Sequence, residues 1–86
     1  MTLYHVTTPK KVQRYHVTGY IKKPVRGFTT LMAALAWGCK VGRSVVLAID
    51  GTGSIKLPDH HNRYGEARWV DENIHTWKCI ISPKKV

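Results

Sequence analysis

The sequence predicts an α+β domain: a small mixed sheet of about five or six strands, with two helices in its N-terminal half. Three observations carry this expectation. Two segments open on a hydroxyl cap and close on a glycine, at Thr8 to Gly19 and at Thr29/Thr30 to Gly38. Runs of β-branched and aromatic residues recur along the rest of the chain and outnumber the helical segments. Their order reads β-α-β-α-β-β-β-β, without the regular alternation of a doubly wound sheet.

Each element has its own signal. Leu3 to Thr7 alternates apolar and polar residues and reads as a strand. Thr8-Pro9 is a cap followed by proline at the first helical position; Val12, Tyr15 and His16 then share a face, and Gly19 is the stop. Tyr20 to Phe28 is extended chain broken by Pro24 and Gly27. Leu31 to Trp37 is rich in Leu, Met and Ala, with Leu31, Ala34 and Leu35 as its apolar stripe and Gly38 as its end. Ser44 to Ile49 is a continuous apolar run, hence a buried central strand. Asp50-Gly51-Thr52-Gly53 is turn chemistry, with Ile55 to Leu57 as the returning arm of a hairpin. Pro58 to Gly65 is a polar loop, and Glu66 to Val70 and Trp77 to Ser82 are strands joined by a short turn. Trp37, Trp69 and Trp77 are assigned to the core, because a small domain has few other large side chains to fill it.

The 86 residues fit a single domain over 1–86, with 84–86 as a frayed tail. Charge is the dominant compositional feature: 14 Lys and Arg oppose 5 Asp and Glu, a formal net charge of +9. Such a surface attracts phosphates, whether of a nucleotide, a nucleic acid or an acidic protein partner. Cys39 and Cys79 stand alone, without a C-x-x-C spacing, which argues against a disulfide framework or a cysteine zinc site. No apolar run reaches signal-peptide or membrane-span length, so the cytoplasm is expected, that of a host cell if the chain is viral. His60-His61 lacks the further ligands of a tetrahedral set, and no metal is expected.

Three short blocks carry a resemblance. Leu3-Tyr4-His5-Val6-Thr7 opens the chain; Gly27-Phe28-Thr29-Thr30 leads into Ala33-Ala34-Leu35-Ala36-Trp37; Gly65-Glu66-Ala67-Arg68-Trp69-Val70 lies late. In this order, over about residues 3 to 82, they resemble the ADP-ribosyltransferase fold of the diphtheria-toxin and poly-ADP-ribose-polymerase branch. The resemblance implies NAD or a related nucleotide as ligand, a phosphorylated RNA end being another candidate. It implies contacts from His5, Thr7, Phe28, Thr29 and Thr30, with Glu66 as the catalytic carboxylate. The chain departs from the branch in being shorter and in having Phe28 where a tyrosine is commoner, which leaves both active and degenerate forms open. A carboxylate suits the chemistry because cleavage of the nicotinamide–ribose bond develops positive charge on the sugar. The bland alternative for Glu66 is a surface pair with Arg63 or Arg68. For Thr29 and Thr30 it is helix capping, although a capped helix start also presents N–H groups to phosphate.

A rival reading rests on other residues. Lys10, Lys11, Arg14, Lys22, Lys23 and Arg26 gather in the first third, with Lys84 and Lys85 at the end. Sharing a face, the first six would form a patch for nucleic acid, with Tyr15 and Tyr20 available for stacking. In that case the chain is a non-catalytic binding module, of viral or mobile-element origin, although it carries no zinc-finger, ribonucleoprotein or KH signature.

Overall fold

The computed structural model describes residues 1–83. The tail expected to fray at 84–86, with Lys84 and Lys85, lies outside them. The elements run β1 (Thr2–Thr7), α1 (Pro9–Thr18), β2 (Val25–Phe28), α2 (Leu31–Val41), β3 (Val45–Asp50), β4 (Ile55–Lys56), a 3₁₀ turn (Asp59–His61), β5 (Ala67–Val70) and β6 (Lys78–Ile81). The α+β class and the order of elements are those the sequence predicts. The strands form one six-stranded sheet in the order β4-β5-β2-β1-β3-β6, and every pairing is antiparallel.

Strand alternation divides the apolar residues between two cores. Leu3, Val25, Val45, Leu47, Ile49 and Val70 point to one face, where Val12 and Tyr15 of α1 pack against them. Val6, Phe28, Val46 and Ala67 point to the other, under Ala33 and Ala34 of α2. The two helices thus cover opposite faces, and unequally: α2 buries Ala33, Ala34 and Gly38, whereas no residue of α1 is buried. Local chemistry sets the ends of α1. The Thr8 hydroxyl accepts from the Lys11 N–H at 3.2 Å, and Gly19 closes the helix at φ 85°.

Five expectations are corrected. Gly38 does not end α2, which continues to Val41 and closes at Gly42 with φ 75°. Gly38 instead permits close packing, since a Cβ there would stand 2.8 Å from the Arg43 carbonyl oxygen and 3.1 Å from Val6. The buried stripe of α2 is Ala33, Ala34 and Gly38, with Leu35 turned outward at 40% exposure. β4 is not the hairpin partner of β3, because β1 and β6 already occupy both edges of β3; it pairs with β5 instead, Ile55 opposite Trp69. β5 and β6 are likewise not neighbours. The segment between them crosses the sheet end, where Ile74 and Ile21 exchange backbone hydrogen bonds. The three tryptophans are half-buried; Trp37 and Trp77 pack at the margins of the two cores.

Candidate functional site

β1 and β2 share a single pair, Tyr4 opposite Phe28, before they part. His5 sits where they diverge, and its ring takes up the freed carbonyl: Nδ1 lies 2.7 Å from the Arg26 oxygen. A carbonyl only accepts, so Nδ1 carries the proton. Nε2 then accepts from the Tyr15 hydroxyl at 3.2 Å, and that oxygen in turn accepts from the Thr7 hydroxyl at 3.2 Å. Thr7 is fully buried, and this chain satisfies its hydroxyl. Burial holds the His5 pKa below its ordinary 6.5; the charges of Arg43 and Lys11 act in the same direction, and the Arg26 carbonyl acts against them. His5 is therefore neutral near pH 7, with both nitrogens engaged inside the protein.

Above this chain lies a cleft of about 350 Å³ between α1 and the segment 20–24. His5 and Tyr15 form part of its wall, Lys11, Arg14 and Lys22 supply three cations, and no acid lines it. No opposed charge lines it, and the like charges come from neighbouring positions on α1 and from the segment 20–24. An anion would relieve their mutual repulsion, so the cleft is a cationic site.

The residues singled out in the sequence fall into separate groups. His5 and Thr7 share the α1 face and one hydrogen-bonded chain. Glu66 alternates with Ala67, which places it on this same face, two strands from β1 and about 10 Å across by strand spacing. Its carboxylate accepts from Arg68 at 3.1 Å, one of the two surface pairs named for it, and Arg68 also donates to Ser54. The Thr29 N–H donates to the Glu66 carbonyl at 3.0 Å, and the Thr30 hydroxyl caps α2 by accepting from Ala33 at 3.2 Å. Phe28 does not join this group. It lies on the α2 face at 7% exposure, 5.9 Å from Trp37, beside a space of only about 80 Å³. A single cleft lined by His5, Thr7, Phe28 and Glu66 is therefore not what the fold builds, since successive strand residues point to opposite faces.

The basic residues divide as well. Lys11, Arg14 and Lys22 meet in the cationic cleft, while Lys10 lines a separate apolar groove on the far side of α1. Arg26 points to the α2 face near His61, and the Lys23 N–H donates to Asn73 at 2.9 Å with its side chain exposed. Six charges in one patch become three in one cleft. Sequence reasoning missed the role of Tyr15 in orienting His5; its signal was the spacing from Val12, which turns the ring inward. Asn62 was also missed. It orders the 57–67 loop by donating to the Leu57 and Pro58 carbonyls and accepting from Ala67, and no local pattern announces it.

Among the described residues no group of three or more His, Cys, Asp or Glu is placed to hold a metal ion, and no helix is long and apolar enough to cross a membrane. Fold and site together define a small antiparallel α+β domain with a cationic cleft beside a hydrogen-bonded histidine–tyrosine–threonine chain. Comparisons with protein-family models, curated proteins and solved structures find no match.

Proposed function

We propose that this protein is a minimal ADP-ribosyltransferase-like domain that binds NAD or a related phosphorylated nucleotide in the cleft between α1 and residues 20–24. One observation carries the reading: three cations and no acid line a concave site directly over the His5 strand. Lys11, Arg14 and Lys22 bind the phosphates through charge-assisted hydrogen bonds. His5 acts indirectly, by holding Tyr15 in the cleft wall with its phenolic proton directed away from the ligand. Glu66 lies on the same face, and the sugar end of a dinucleotide extends along the sheet towards it. Its side chain is 39% exposed and so open to solvent. In this reading Glu66 stabilises the positive charge that develops on the ribose as nicotinamide leaves.

The test is an NMR titration with NAD at moderate salt. Saturable amide shifts at His5, Lys11, Arg14 and Lys22, with affinity lowered about 10-fold or more in Lys11→Ala/Arg14→Ala, are expected. Absence of saturable shifts at these positions would rule the reading out. Glu66→Gln keeps the binding and loses nicotinamide release.

A second reading is favoured by the exposure of Arg14 and Lys22 in the cleft, with Lys10 and Lys23 exposed on the surfaces beyond it. A single-stranded nucleic acid would supply the phosphates, and its affinity would fall steeply with salt.

A further inference from the structure

The cationic cleft has a neighbour. At the C-terminal end of α1, Tyr15, His16, His75, Thr76 and Trp77 surround a second cleft of about 370 Å³. Tyr15 lines both. Along the helix end Thr18 and Tyr20 belong to the cationic side and Gly19 to the aromatic side. Gly19, between them, carries no side chain to stand in the way.

The second cleft differs from the first in chemistry. Its rings pack on one another and on the neighbouring cleft: His16 lies 5.5 Å from Trp77, Tyr15 meets Trp77 at 6.0 Å and 71°, and His75 lies 6.1 Å from Tyr20 of the cationic cleft. Trp77 is only half-buried, and His16 and His75 are exposed. The cleft thus combines a large π surface with two imidazoles at its rim, beside a site that attracts phosphate. A planar heteroaromatic ring joined to a phosphate fits both halves: stacking serves the ring, imidazole nitrogens meet its polar edge, and the cations hold the anion.

We propose that the Tyr15–His16–His75–Trp77 cleft takes a nucleobase whose own phosphate lies on Lys11, Arg14 and Lys22. This rests on the nucleotide-binding reading above and deepens it by assigning the base a place. A free nucleotide and a nucleic-acid strand offer the same chemistry, so the probes must separate them.

The experiment compares 5′-AMP, inorganic pyrophosphate, NAD and a single-stranded hexanucleotide on the full chain, by calorimetry and tryptophan fluorescence. AMP should quench Trp77 emission, read in a Trp37→Phe/Trp69→Phe background, while pyrophosphate should not. Trp77→Leu should weaken AMP at least about five-fold, the lower end for loss of one base–aromatic stack, and leave pyrophosphate binding unchanged. Trp77 also packs on the core, so His75→Ala supplies a variant at an exposed position; about two-fold or greater weakening of AMP alone is expected. The source of the base is whichever of NAD or the hexanucleotide loses affinity in Trp77→Leu. If AMP and pyrophosphate bind but neither variant distinguishes them, the base assignment fails while the phosphate site stands. If pyrophosphate itself does not bind, both readings fall together.

Discussion

At the scale of single residues, the His5–Tyr15–Thr7 chain has consequences independent of any ligand. Tyr15→Phe removes the hydroxyl that serves both His5 Nε2 and the buried Thr7 hydroxyl. Two polar groups are then left without a partner, at about 1–3 kcal/mol for a fully buried one. A lowered denaturation midpoint with an unchanged slope is the expected result; an unchanged midpoint would mean that water replaces the phenol.

The same histidine sets a pH dependence. Its folded pKa lies below 6.5, so near and just below that value the unfolded chain binds more protons than the folded one. Stability is therefore full above about pH 6.5 and falls as pH drops from there towards the folded pKa. His61 is shifted in the same direction, by partial desolvation and by the charges of His60 and Arg26. The His5 contribution is isolated by His5→Asn, which should flatten the stability profile between pH 7 and 5. An unaltered slope in that variant would assign the effect elsewhere.

At the scale of elements, the two helices are held differently. α2 is tied by close packing. Replacing Gly38 by alanine would gain about 1 kcal/mol of helix propensity if the helix stood alone. Here the added methyl meets the Arg43 carbonyl oxygen at 2.8 Å, a backbone atom that cannot step aside. Overpacking of about 1–3 kcal/mol outweighs the propensity gain, so Gly38→Ala should lower stability on balance, as thermal denaturation would register. α1 buries none of its residues and depends on its caps and on Val12 and Tyr15. Its amides should exchange with solvent well before those of β1 and β3, and bound nucleotide should slow them, because Lys11 and Arg14 lie on this helix.

At the scale of the whole molecule, charge governs association. The net charge of +9 gives a general attraction for anions, but the cleft concentrates only Lys11, Arg14 and Lys22. A single strand held there should show a log–log salt slope of magnitude about 2, from roughly 0.7 per phosphate, and Arg14→Ala should reduce it by about 0.7. A slope of about 4, roughly 0.7 for each of six contacts, would mean that Lys10, Lys23 and Arg26 act together with them after all, against their placement on separate surfaces.

Short-range features of the chain were legible from composition and order alone. Thr8, Pro9 and Gly19 delimit α1, Thr30 caps α2, and the alternation of Leu3 to Thr7 and the apolar run at 45–49 mark the central strands. These signals are readable because caps, turn residues and periodicity act within a few residues of one another. Pairing and facing were not legible. The partners of β4 and β6, the interior role of Gly38, the separation of Phe28 from His5 and the meeting of Tyr15 with His5 all join residues distant in the chain. Each strand has two edges and two faces, and which neighbour takes each is settled by burying both cores at once. The sequence therefore specified the elements and their charges, while packing across the sheet determined which charges and rings came to share a cleft.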